Sequence, residues 1–372
     1  MIYLDYAANT PVDKRVLDTF YKVSLDYFGN PNSPHSLGDA AREKMLNTTC
    51  QIANVLNVQR EEIIYTSGAS ESNNMAIKGI AESYKRYGKH IITTFLEHAS
   101  VTGPISALKN QGYEVDFVNI TSNGQVDLSH LKELMRDDTI LVSVCYVDSE
   151  VGTIQPIREI SEIVHEKKHC YLHVDATQGI GKIPVSFDGI DLMTFSAHKF
   201  YGINGSGVLL KKDNIIIEPL IHGGLSTTSF RSGTPALGLA AALGEALSLS
   251  LNQLEENLSY VRDLNKLLRD SFKENKHIAI NSPEDASPYI LNISIKGVNT
   301  SKFSEKLNTK EIYVATKSAC CAPNTVSKPV LAITKDKKLA LQTLRISLSH
   351  LTTKEELEIF LNSFYELLKE EL

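Results

Sequence analysis

The 372-residue chain is 42% hydrophobic and 22% charged, as ordinary soluble globular proteins are, and at about 150 residues per domain it would hold roughly two to three domains. Its net charge of -6 gives no overall attraction for nucleic acid, and no apolar run approaches the roughly 20 residues that cross a bilayer, so no membrane partner is expected. Five cysteines, an odd and low number, argue for reduced thiols rather than a disulfide framework; with no secretory signal at the start, a cytoplasmic location is expected.

From about residue 60 to 212, short β-rich runs alternate with helical ones. Strands are expected over 62–66, 90–94, 114–118, 139–147, 171–175, 191–195 and 207–211, and helices over 72–87, 98–111, 128–135 and 157–168. Such alternation predicts an α/β fold with a mostly parallel sheet covered on both faces. The runs 140–144 and 207–210 are apolar without alternation, as buried parallel strands are. After Thr234 the pattern changes. Leu237, Leu243, Leu247, Leu251, Leu254 and Leu258 mark a long helical region toward Lys276, followed by β-rich runs at 289–296 and 343–349. Leu357, Phe360, Leu361, Phe364, Leu367 and Leu368 recur at helical spacing in a last helix over 354–372. Residues 16–255 read as a large domain, and 1–15 with 256–372 as a smaller α+β domain.

Open parallel sheets bind ligands at the carboxyl ends of their strands, and three polar segments fall there. Ser67-Gly68-Ala69-Ser70-Glu71-Ser72 joins a strand to a helix, and its small residues leave backbone N–H groups for an anion such as phosphate. Taken alone, it reads more simply as a plain Ser N-cap with a tight turn. Asp175 ends a buried strand, where a carboxylate must be capped or paired with a cation. Lys199, in Ser196-Ala197-His198-Lys199, ends the next; an amine beside a desolvating sheet edge can form Schiff bases, although a lone Lys is usually a solvated charge. Together they supply what pyridoxal phosphate (PLP) needs: an imine-forming amine, an anion for the pyridinium nitrogen and a phosphate cradle.

His165-Glu166-Lys167-Lys168-His169 matches the H-E-x-x-H zinc pattern. It sits at a basic helix C-terminus with no evident third ligand, so no metal site is expected there. Cys145 and Cys170 fall in or beside buried strands and read as small core residues. Cys320 and Cys321 lie in a small, polar, Pro-containing stretch that predicts an exposed loop, beside Lys317, which favours the thiolate.

These segments in this order resemble the cysteine desulfurases, fold-type I PLP enzymes of the class V aminotransferase group. The similarity covers nearly the whole chain. It includes Leu4-Asp5-Tyr6-Ala7-Ala8, Gly29-Asn30-Pro31, Ser67-Gly68-Ala69-Ser70-Glu71, Glu97-His98, Asp175-Ala176-Thr177-Gln178, Ser196-Ala197-His198-Lys199, Arg231-Ser232-Gly233-Thr234, Ser318-Ala319-Cys320 and Arg345-Ile346-Ser347. The resemblance implies that Lys199 carries PLP, Asp175 pairs with its ring nitrogen, and His98 stacks on the ring and moves protons. Gln178 and Ser149 would approach the phenolic oxygen. Backbone Ala69 with Ser70, Ser196 and His198 would hold the phosphate, joined by Thr234 from the other subunit of a homodimer. Asn30 and Arg345 would bind the substrate L-cysteine. Cys320 would take its sulfur as a persulfide, leaving alanine, and pass the sulfur to an acceptor protein.

The chain departs from the family pattern at several points. Ser149 stands where Asn is usual, Ser70 replaces a commoner Thr, and Leu225-Ser226-Thr227 replaces Gly-Gln-Glu after Gly224. Lys317 and Cys321 flank the Ser-Ala-Cys core, and a longer C-terminal extension that docks an iron–sulfur scaffold is not expected. Two alternatives stand beside the desulfurase reading. One is another class V enzyme, such as a selenocysteine lyase. The other is a weakly active PLP-fold protein that acts by binding.

Overall fold

A computed structural model describes residues 1–224, 226–316 and 325–372. Strand β1 (Ile2–Tyr3) opens the chain, followed by helices Lys14–Asp26 and Ser36–Leu56. The main sheet then comprises β2 (Ile63–Thr66), β3 (His90–Thr93), β4 (Glu114–Phe117), β5 (Thr139–Cys145), β6 (Tyr171–Asp175), β7 (Leu192–Ser196) and β8 (Gly207–Lys211). Their order is β2-β8-β7-β6-β5-β3-β4. Only β8 runs against its neighbours, so the other strands share one carboxyl edge. The mostly parallel sheet read from the sequence is thus observed, with strand bounds within two residues of those expected.

Alternation along the strands fills two cores. Ile63, Ile92, Val142, Val144, Leu172 and Val174 join one cluster, and Ile64, Ile91, Leu141, Leu192 and Leu209 another, so the sheet is covered on both faces. Every residue of β5 is buried, as a central strand between helix layers requires.

The C-terminal part has its own core. Strands β9 (Ile278–Ile280), β10 (Ile290–Ile295) and, after β11 (Ile312–Tyr313), β12 (Thr343–Ser347) form an antiparallel sheet ordered β12-β10-β9, while β1 pairs with β11. Helices Leu254–Lys273, Thr300–Thr309 and Lys354–Glu371 pack with it around Leu264, Phe272, Leu291, Leu344, Phe360 and Phe364. Ile2 and Leu4 belong to this core.

Two features differ from the sequence reading. The long helical region is two helices, Leu237–Asn252 and Leu254–Lys273, separated at Gln253, whose ψ is 11°. Each helix serves a different core: Leu243 and Leu247 pack with the main sheet, Leu264 and Leu268 with the smaller one. Continuous Leu spacing cannot show that change of partner. The helices before residue 60 were also not expected. Lys14–Asp26 buries Val16 and Val23 and leaves Leu17, Tyr21 and Leu25 exposed. Among the described residues no helix is long and apolar enough to cross a membrane.

Candidate active site

A cleft of about 410 Å³ opens at the carboxyl edge of the main sheet, within the size range of small-molecule sites. The segments after β2, β3, β5, β6 and β7 line it, and β12 closes it from the smaller sheet. It collects Ala69, Ser70, His98, Ser149, Asp175, Gln178, Ser196, His198, Lys199 and Arg345. Asn30 and Thr234 are exposed and lie outside it within one protomer. The expectations for Cys320, Cys321 and Leu225 lie outside the described residues.

The turn after β2 depends on two glycines. Gly68 adopts φ +147° as the N-cap of helix Ala69–Tyr84, a region that favours glycine. A Cβ on Gly207, at the start of β8, would come within 2.5 Å of Gly68 Cα. The close approach sets the helix N-terminus against β7, where the Ala69 N–H donates to Ser196 Oγ at 2.6 Å. Glu71 steadies the turn, accepting from the Ser67 N–H at 2.7 Å and pairing with Arg231 at 2.9 Å.

Asp175, the last residue of β6, is capped rather than cation-paired. Its Oδ1 accepts from the Thr177 N–H at 3.0 Å and its Oδ2 from Asn73 Nδ2 at 2.9 Å. The same Asn73 amide nitrogen donates to Ser100 Oγ at 2.8 Å, and Ser100 lies 2.8 Å from His98 Nδ1. His98 is the N-cap of helix Ala99–Lys109, with Nδ1 accepting from the Ser100 N–H at 3.2 Å. That leaves the proton of the neutral ring on Nε2. Burial holds His98 below the usual histidine range, opposed by Asp175 and assisted by Lys199. One hydrogen-bonded line thus runs from Asp175 through Asn73 and Ser100 to His98.

Lys199 sits in the short turn Ala197–Lys199 after β7. Its Nζ donates to the carbonyls of Ala7 and Ala8 at 2.6 and 2.7 Å. The N-terminal segment is pinned over this turn by Thr10, whose N–H and Oγ1 both donate to the His198 carbonyl. Burial, with the cations Lys199 and Lys182, pulls His198 down to about 4.

Arg345 enters from β12 by strand alternation: Leu344 and Ile346 belong to the smaller core, while Arg345 turns to the cleft. Its Nη2 donates to Asp5 Oδ1 at 2.7 Å and its Nη1 to the Ser149 carbonyl at 2.9 Å. Its Nε and Thr177 Oγ1 are buried polar atoms without a partner.

Sequence reasoning missed Asn73, Ser100, Lys182 and Asp5. Asn73 could have been found, since Ala69, Asn73, Ala76 and Ile80 form one buried helical stripe in which an amide is out of place. The H-E-x-x-H segment holds no metal cluster among the described residues. His165 caps its helix and lies 2.9 Å from Asp191, while His169 stacks on Tyr87.

A strand-end cleft with a lysine, a capped aspartate and a helix N-terminus defines a recognisable class. The chain belongs to the class V aminotransferase family, whose model matches residues 2–360. Among curated relatives it is similar to "Cysteine desulfurase IscS" of Neisseria meningitidis serogroup C (strain 053442), with 39% identity over 96% of this chain and 89% of that protein. It is similar too to "Cysteine desulfurase, mitochondrial" of Saccharomyces cerevisiae, at 38% identity over 96% of this chain and 73% of that one. Two solved structures extend the likeness. A "NIFS-LIKE PROTEIN" superposes with a TM-score of 0.93 at 34% identity, covering 99% of both chains. "SspA in complex with cysteine" does so with a TM-score of 0.82 at 30% identity, over 95% of this chain and 100% of that one.

Proposed function

We infer that the protein is a PLP-dependent cysteine desulfurase, converting L-cysteine to L-alanine and passing the sulfur, as a persulfide on Cys320, to an acceptor protein. The observation that carries this reading is the meeting of Lys199, Asp175, His98 and Arg345 in one cleft, in a chain 39% identical to proteins named for that activity.

The residues fit the cofactor. The turn at Gly68–Ser70 offers N–H groups at a helix N-terminus, with Ser196 and His198 beside it, for the phosphate. Asp175 would face the ring nitrogen, and Gln178 and Ser149, which line the same cleft, would approach the phenolic oxygen. PLP, when bound, supplies an electron sink for the bonds around the substrate's α-carbon. Lys199 would supply the amine that holds it and would move the α-proton. His98, neutral and carrying its proton on Nε2, exchanges a proton with the reacting groups. Arg345 holds the substrate carboxylate with charge-assisted hydrogen bonds, its buried Nε being an unused donor.

Ala315 is bridged to Arg345, and Cys320 lies five residues further on. A chain of that length spans at most roughly 17 Å, so the thiol's tether starts beside the substrate. The Cys320 thiolate attacks the substrate sulfur. An S–S bond forms as the C–S bond breaks, the electron pair stays on carbon, and a proton completes alanine. A thiol reductant or the acceptor then removes the sulfur.

The reading includes a cytoplasmic homodimer in which Thr234 serves the partner's cleft. Its support is that Thr234 is exposed away from its own cleft and that the first helix presents Leu17, Tyr21 and Leu25 to solvent. Residues 16–255 form the cofactor-binding body and 1–15 with 256–372 the smaller one, a division supported by the separate cores. The test is to assay alanine and sulfide from L-cysteine with a thiol reductant. Equal amounts are expected, with Cys320→Ser losing sulfide release and Cys321→Ser retaining it. Absence of alanine from the wild-type holoenzyme would overturn the reading.

A further inference from the structure

We propose that Lys182 is a positioning residue that fixes the amide of Gln178 with its N–H edge toward the cofactor site. Lys182 is 4% exposed and does not line the cleft. Its Nζ donates to Gln178 Oε1 at 2.8 Å. Nζ is the donor in this contact, so the amide oxygen faces it. Gln178 Nε2 is thereby turned the other way, donating to the Ala7 carbonyl at 2.8 Å. That carbonyl also accepts from Lys199 Nζ at 2.6 Å. One line of contacts therefore joins a buried lysine to the lysine of the cleft through the amide that lies between them.

The backbone is shaped to bring Lys182 inward. Gly181 has φ +73°, and a Cβ there would come within 2.8 Å of Phe200 Cβ. Burying an amine is costly unless something specific receives it. The charges acting on Lys182 are those of Lys199 and Arg345, both cations, and burial with them pulls it down to about 7. An apolar side chain would fill this space without that cost. What the amine adds is a donor aimed at one atom of Gln178.

The proposal rests on the reading that the cleft takes PLP with Gln178 beside its phenolic oxygen. An N–H donor held against that oxygen lowers its basicity, so losing the orientation raises the pH midpoint of the bound chromophore's absorbance change. The test uses PLP-loaded protein carrying Lys182→Met, Gln178→Leu or both, reading that midpoint and the PLP dissociation constant. Lys182→Met is expected to raise the midpoint by about 0.5–1 pH unit and weaken PLP roughly three- to tenfold. Most of both effects should vanish in the Gln178→Leu background. Lys182→Gln, whose amide imposes no single orientation, serves if the Met variant does not fold, with a smaller shift in the same direction.

An unchanged midpoint in the Lys182 variants, while Gln178→Leu shifts it, overturns this proposal alone. So does an equal Lys182→Met shift in both backgrounds. A Gln178→Leu variant with an unmoved midpoint, or a wild type that gains no chromophore, overturns the cofactor reading and the proposal with it.

Discussion

Arg345 and Glu97 show how single side chains shape the cleft. Arg345 is 2% exposed and already held by Asp5 and the Ser149 carbonyl, so it is oriented before substrate arrives. A carboxylate contact made in the ground state contributes to binding more than to the chemical step. Arg345→Ala should therefore raise KM for cysteine roughly 10- to 100-fold, as losing charged hydrogen bonds does, with a smaller fall in kcat. Steady-state kinetics check this; unchanged KM with a large fall in kcat would give Arg345 another role. Glu97, next to His98 in the chain, is buried and accepts from Thr94 Oγ1 and the Cys145 N–H, with Oε2 unpartnered. Burial pushes its carboxyl up to about 8. A carboxyl raised in the folded state binds a proton that the unfolded chain has lost, so stability falls as pH rises from its ordinary value to about 8, then levels. Glu97→Gln cannot ionise. Its melting temperature relative to wild type should climb between pH 5 and 8 and stay flat above; a difference independent of pH would mean an unshifted carboxyl.

At the scale of elements, the junction of β8 with the turn after β2 is the tightest constraint on the phosphate cradle. Gly207→Ala would place a Cβ 2.5 Å from Gly68 Cα, with no flexible side chain to move aside. Overpacking of this kind costs about 1–3 kcal/mol. The variant should melt lower and bind PLP more weakly, checked by thermal scans and cofactor titration, while Gly103→Ala, where a Cβ meets nothing within 4 Å, serves as a control for crowding. The strands were legible because β5, β6 and β7 are short runs rich in apolar and β-branched residues between helical stretches, and Asp175 and Lys199 were legible because each falls in a polar segment at a strand end. Asp5 was not, since its partner Arg345 is remote in sequence and meets it only through the pairing of the N-terminal segment with β12. Lys182 was not, because a lysine in a turn reads as solvated and only the fold buries it. For Asn30 and Thr234 the family resemblance alone names a role, because neither reaches the cleft of its own protomer.

At the scale of the whole molecule, Thr234 predicts an outcome that only a dimer can give. The species in solution should have about twice the 41.2 kDa chain mass. Lys199→Ala and Thr234→Val chains, each weak in PLP binding, should regain one intact site per mixed dimer when refolded together. A mixture no better than the separate variants would place Thr234 in its own protomer's service or in none. The central claim is that the strand ends of one sheet assemble a PLP site around Lys199, and the most direct measurement is where the cofactor attaches. Two lysines compete: Lys182, whose amine burial brings down to about 7, and Lys199, which lines the cleft. Borohydride reduction of the PLP-loaded protein followed by peptide mapping should find the adduct on Lys199. An adduct on Lys182, or on any other lysine, would contradict the account.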